Sequence, residues 1–269
     1  MDPGRLRRRG PHLWLELQYS AARHGGDRRD HPRSEHAGGV RDLPVARLHA
    51  PRERGVLGAL DFAEAQKEAL GCTKCGLCNS RTQVVFGDGP LNAGLFIVGE
   101  APGFNEDEGG KAFSGASGML LDRLLESLDL GREKVYLTTL VKCRPPGSPP
   151  RPPKPSEVSS CRPYLVSQLA AVDPKVVVAL GNLPSRVLTG RKESVSRIRG
   201  RAIPLDGRYV FPTLSLQRAL YTPADRALLV SDFSRLPELL EAERPSTYET
   251  LNVTRSPDAE REPVQPGLW

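Results

Sequence analysis

The chain has 269 residues, 38% of them hydrophobic and 26% charged, with a formal net charge of +6. That length holds one domain with tails or two small domains. No apolar run reaches the roughly eighteen residues of a membrane span, and MDPGRLRRRGPHLWLEL has the arginines of a signal peptide without its apolar stretch, so a soluble cytoplasmic protein with no membrane partner is expected.

Residues 1–55 are rich in Arg, Gly, Pro and His and show no sustained periodicity, and they read as a disordered basic tail. Twelve arginines against seven acids there supply +5 of the +6. Any DNA affinity of the rest must come from a local basic patch and backbone amides. Met119 is the only methionine after Met1, so the alternative is that this tail is not translated and the chain starts at a non-Met codon near Val56. His12, His24, His31, His36 and His49 all lie in this stretch, which leaves the folded part without a catalytic histidine.

The folded domain is expected over 56–242. DFAEAQKEAL reads as a short amphipathic helix leading into CTKCGLC. LFIVGE (95–100) is a continuous apolar run of the kind a buried parallel strand shows. GASGMLLDRLLESLDL carries Met119, Leu121, Leu124, Leu125 and Leu128 at helical spacing, and VYLTTLV (135–141) is a second buried strand. After a Pro-rich loop, SEVSSCRPYLVSQLAAV suggests a helix with Ser156 as its N-cap. VVVALG (176–181) is a third strand, followed by a helix near NLPSRVLTG. YVFPTL (209–214) is a fourth, and PADRALLVSDFSRLPELLEA closes with a helix. Strands alternating with helices predict a parallel sheet covered on both faces. Residues 243–269 read as a polar C-terminal tail.

Five cysteines in such a chain argue against a disulfide framework and for a metal or redox site. Cys72 and Cys75 form a C-x-x-C, Cys78 follows, and Cys143 and Cys161 bracket the Pro-rich stretch. A tight turn and a distant loop can close a four-thiolate site, and zinc or a four-iron cluster fits that set equally. The spacing matches neither a zinc ribbon nor a bacterial ferredoxin.

GEAPGFNEDEGGKAFSGASG (99–118) resembles the signature loop of the family 4 uracil-DNA glycosylases. The resemblance continues through VFGDGP, VYLTTLVKCRPP, the 157–161 segment, VVVALGNLPSRVLTG and RIRG, covering roughly residues 70 to 236. It implies a three-layer α/β/α sandwich around a four-stranded parallel sheet, matching the strand count above. It implies a [4Fe-4S] cluster on Cys72, Cys75, Cys143 and Cys161; Cys78 is expected outside it, as a small core residue. It also implies an enzyme that flips uracil out of DNA and hydrolyses its N-glycosidic bond, leaving an abasic site; a monomer is expected.

The chemistry of the loop fits that resemblance. A strand ending in Gly-x-Ala-Pro-Gly presents backbone amides at the C-terminal edge of a parallel sheet, where such sheets bind ligands. Gly99, Ala101 and Gly103 would line the base site, with Phe113 where the family places its stacking ring. Glu100 and Glu106 match the carboxylates that hold the attacking water and stabilise the oxocarbenium charge. Two positions depart from the family. Thr139 stands where an Asn reads the uracil face, and Ser215 stands where a His stabilises the departing base, so reduced activity is expected. Lys142 and Arg144 beside the Pro-rich loop, and Arg197 and Arg199 after the third strand's helix, would contact phosphates. The alternative is a uracil- or damaged-DNA-binding module with little or no turnover. An electron carrier or zinc scaffold would explain the cysteines and leave the GEAPG loop unexplained.

Overall fold

In the computed structural model of the chain, which describes residues 60–246, the elements follow in the order read from the sequence. The expected basic tail at 1–55 lies outside the described residues, as does the C-terminal tail beyond 246. Asp61 opens α1 (Phe62–Leu70) by accepting the Ala63 N–H at 3.1 Å, an ordinary N-cap. Then come β1 (Leu95–Gly99), α2 (Phe104–Gly109), α3 (Ala116–Glu126), β2 (Val135–Thr139), α4 (Pro155–Val172), β3 (Val176–Leu180) and α5 (Asn182–Thr189). The chain closes with α6 (Val195–Ile198), β4 (Ile203–Leu205), β5 (Arg208–Thr213), α7 (Leu216–Tyr221), α8 (Pro223–Phe233) and α9 (Leu236–Glu241).

The sheet runs β2-β1-β3-β5-β4, with the first four strands parallel and β4 antiparallel to β5. Its two faces are covered as the apolar runs require. Leu95 and Ile97 of β1 pack with Leu121 and Leu125 of α3 and Phe233 of α8. Phe96 and Val98 pack on the opposite face with Leu165 and Leu169 of α4. This is the α/β sandwich expected, with five strands in place of four. The added strand is a three-residue hairpin arm joined to β5 by Asp206 and Gly207, both left-handed at φ 50° and 73°, as a two-residue hairpin turn needs. Pro204 within it is tolerated because β4 is an edge.

Three other boundaries differ. Lys154, and not Ser156, precedes α4, because Pro155 takes the first helical position and Glu157 accepts the Lys154 N–H at 2.7 Å. The single closing helix is two, α8 and α9, with Pro237 in the first turn of the second, where a missing N–H costs nothing. The domain also runs past Ala242. Tyr209 Oη donates to the Glu243 carbonyl at 3.1 Å and Arg244 to the Asp173 carbonyl at 2.6 Å. No helix among the described residues is long and apolar enough to cross a membrane.

Register sets the site. Gly99 pairs with Thr139 and Leu180 with Thr213, so four parallel strands end level. Glu100, Thr139, Gly181 and Ser215 therefore leave the sheet along one edge.

Candidate active site

The loop after β1 is built around Phe113. Its ring packs against Gly99, where an added Cβ would lie 2.9 Å from the ring's Cζ and 3.2 Å from Thr139 Cγ2. Any side chain at 99 would displace the ring. Phe113 itself is left-handed at φ 53°, a conformation that costs a non-glycine residue on the order of 1–3 kcal/mol unless its surroundings enforce it. Arg132 helps to enforce it. Its guanidinium donates to the Ala112 carbonyl at 3.1 Å and to the Phe113 carbonyl, and it is anchored on Asp122 at 2.6 Å. Gly118 lets the first turn of α3 pass the Phe113 carbonyl, into which a methyl group would run. Glu106 closes the frame, its two oxygens each accepting one backbone N–H at 3.0 Å, from Gly103 and from Gly115. Asp107 is buried and accepts the Thr82 N–H at 2.9 Å, tying α2 to the segment after the first three cysteines.

The two carboxylates are thus unequal. Glu106, expected to hold water, also accepts one backbone N–H on each oxygen. Glu100 is half-buried and makes no side-chain hydrogen bond among the described residues, and desolvation alone pushes its carboxyl above the usual range. Thr139 is buried and donates its hydroxyl to the Val141 carbonyl at 2.8 Å. It turns its methyl toward Gly99, and its proton does not rotate freely. Ser215 is the N-cap of α7. Its Oγ accepts the Arg218 N–H at 3.3 Å, which leaves its own proton unspent. Its Cβ lies 3.2 Å from where a Cβ on Gly181 would be, across the end of β3. Gly103 caps α2, and Ala101 packs against the apolar cluster that contains Cys143 and Cys161.

Behind that loop, Cys72, Cys75, Cys143 and Cys161 line one cavity beside α4. Cys78 lines it too, half-buried, with its thiol donating to Asn79 Oδ1 at 3.3 Å. It is therefore not the core residue expected. The sulfurs ring the cavity without converging: among the described residues no three Cys, His, Asp or Glu side chains are placed to hold a single ion. Burial pushes the Cys143 thiol up against the opposing pull of Arg81, and pushes Cys161 up to about 12. Donors already face the sulfurs. Arg81 reaches Cys143 Sγ at 3.2 Å and the Cys72 carbonyl at 2.7 Å, and the Lys142 N–H reaches Cys161 Sγ at 3.2 Å. Desolvated thiols with N–H donors aimed at them suit a cationic iron core that replaces their protons and draws charge onto sulfur. Arg81 escaped the sequence reading, although a basic residue three positions after Cys78 was its signal. Arg132 offered no such signal, since nothing local marks a partner nineteen residues upstream.

Of the four basic residues expected on DNA, Lys142 is buried and Arg199 is held in an ion pair. Lys142 is 1% exposed, with Nζ donating to Thr138 Oγ1 at 2.6 Å, the Thr139 carbonyl at 2.8 Å and Gln168 Oε1 at 2.7 Å. Burial brings its pKa down to about 7. It braces the end of β2 and cannot meet a phosphate. Arg199 is committed to Asp232 at 2.7 and 3.0 Å and to the Leu228 carbonyl at 2.6 Å. Arg197 is exposed, and Arg144 is half-buried at the site's edge.

Residues 86–235 match the model of the uracil DNA glycosylase superfamily. The chain is 38% identical over 183 residues to the type-4 uracil-DNA glycosylase of Sulfurisphaera tokodaii, covering 65% of this chain and 82% of that one. It is 37% identical over 193 residues to that of Archaeoglobus fulgidus, covering 69% and 96%. To that of Thermotoga maritima it is 38% identical over 176 residues, covering 64% and 91%.

Proposed function

The chain belongs to the uracil DNA glycosylase superfamily, alongside its type-4 glycosylases, and from that premise we propose that it flips uracil out of DNA and hydrolyses its N-glycosidic bond. The observation that carries the proposal is the Phe113 ring, held in a left-handed backbone against Gly99 and beside an unpaired, half-buried Glu100. A flipped base needs a flat apolar surface to replace its lost neighbours, and the ring supplies it. Bond cleavage puts positive charge on the sugar, which the Glu100 carboxylate stabilises while accepting a proton from the attacking water. Glu106 holds the two ends of the loop in place. The Ser215 hydroxyl donates to the departing base, a weaker donor than a cation.

Cys72, Cys75, Cys143 and Cys161 would hold a [4Fe-4S] cluster in this reading, and Cys78 would stay outside. Four thiols lining one cavity, with N–H donors facing Cys143 and Cys161, support a thiolate-bound metal group there. When bound, the cluster supplies a rigid anchor for the arm from Cys143 to Cys161, which ends against the site. The domain of this activity spans 56–242 extended to Arg244, with the segments on either side outside it.

Thr139 and Ser215 favour a second reading, a uracil-DNA-binding module with little turnover, because neither offers the polar contact of an amide or an imidazole. A uracil-containing oligonucleotide, incubated with the protein and then treated with alkali, separates the two. Slow cleavage at uracil that Glu100→Gln lowers by about a hundredfold supports the enzyme. Tight binding with no cleavage supports the module, and neither sinks both.

A further inference from the structure

Large apolar side chains are exposed at several scattered points of this surface, and most stand alone, which is ordinary. Phe104 does not stand alone. It is 64% exposed at the first position of α2, directly after Gly103 and two residues before the Glu106 clamp. The Arg144 guanidinium lies over its ring, 5.7 Å from the centroid. That pair joins the loop after β1, which also carries Phe113, to the arm after β2. Arg144 is itself held, Nη2 donating to the Gly147 carbonyl at 2.9 Å, while its Nε is buried with no partner. An aromatic ring kept in water beside a cation, on the loop that carries Glu100 and Phe113, matches the composition of surfaces that stack nucleobases and neutralise their phosphates.

Resting on the uracil-DNA reading, we propose that Phe104, backed by Arg144, is a stacking platform for the base that flanks the extruded uracil. Extrusion strips that neighbour of one stacking partner, and the platform replaces it outside the pocket as Phe113 does inside. The protein then favours DNA whose flanking base can leave its own helix, a single strand or a weakly paired site, over a continuous duplex. Truncation of Phe104 leaves the core intact, because the ring contributes nothing to either apolar cluster of the sheet.

The test uses the full chain with a fluorescein-labelled single-stranded oligonucleotide containing one uracil. A second oligonucleotide carries tetrahydrofuran in place of both nucleotides that flank the uracil. Binding is read by anisotropy and excision by alkali cleavage. Phe104→Ala should weaken binding of the first by about five- to 150-fold, the range of one aromatic–base stack. Phe104→Trp should restore it, and the loss should vanish on the second oligonucleotide. Equal binding by wild type and Phe104→Ala overturns the platform while leaving the uracil reading intact, and so does a loss that persists undiminished without the flanking bases. A wild-type protein that neither binds nor cleaves the first oligonucleotide overturns the uracil reading and the platform together.

Discussion

Arg132 touches no base, yet the ring that would carry one depends on it. Its guanidinium fixes the carbonyls of Ala112 and Phe113, so Arg132→Gln should lower the maximal single-turnover rate by about tenfold, with a smaller change in the DNA concentration at half saturation. Lysine at 132 should recover part of the rate, which a purely structural defect would not. Glu100 sets the pH response. Its carboxyl titrates above the ordinary value of about 4.3 because it is half-buried. Activity should therefore fall with acidification at a pH above that value, and the residual rate of Glu100→Gln should lack that limb. Stability moves the opposite way. A folded pKa raised above the unfolded one means the native state binds more protons in the window between them, so stability declines as pH rises through it. Glu100→Gln should then raise the melting temperature slightly at neutral pH. Ser215→His should speed excision by supplying a charge-assisted donor, at a cost of about 1 kcal/mol from the lost cap of α7.

Among elements, the four parallel strands were legible because their apolar runs are buried on both faces and each ends at a turn signal. The fifth was hidden by Pro204, which counts against a strand, although the Asp206–Gly207 pair beside it is a hairpin signal. Position on an element also misled the reading of charge. Lys142 stands between Thr139 and Cys143, where any basic residue invites a phosphate, and only the packing of Thr138, Gln168 and Phe86 shows where the ammonium goes. Lys142→Met should leave the salt dependence of DNA binding unchanged and lower the melting temperature, because it strips a donor from three buried acceptors. Arg197→Gln should reduce the salt slope by about one and leave stability alone. In the cysteine arm, Cys143→Ser should cut iron content and loosen the arm, as measured by iron assay and proteolysis. Cys78→Ser should change neither.

For the molecule as a whole, the site's location was predictable and its inner bracing was not. A parallel sheet puts its ligand at the C-terminal edge, and the GEAPG loop was found there. What sequence could not supply was which acid is free and which is clamped, because Glu100 and Glu106 differ only in what the folded loop brings to them. The far end of the sheet yields a further expectation. Lys175 donates to the carbonyls of Leu240 at 2.6 Å and Ala242 at 2.8 Å, and Arg244 reaches back to Asp173. A chain ending at Ala242 should melt a few degrees below one ending at Ser246, as about 1 kcal/mol shifts a domain of this size. A chain beginning at Val56 should keep the melting temperature of the full one.

The double duty of the Phe113 loop bears on its descent. Glu106 holds two backbone amides, and Gly118 gives way to a carbonyl, whether or not a base is ever cleaved. A lineage selected only to keep this domain folded would retain both, and with them most of the signature loop. Ser215 and Thr139 each make a single side-chain hydrogen bond with the fold, and such positions are freer to drift when demand for turnover relaxes. The loop can outlive its chemistry, so a loss of catalysis in this lineage would be written at positions 139 and 215 while the motif still read as intact.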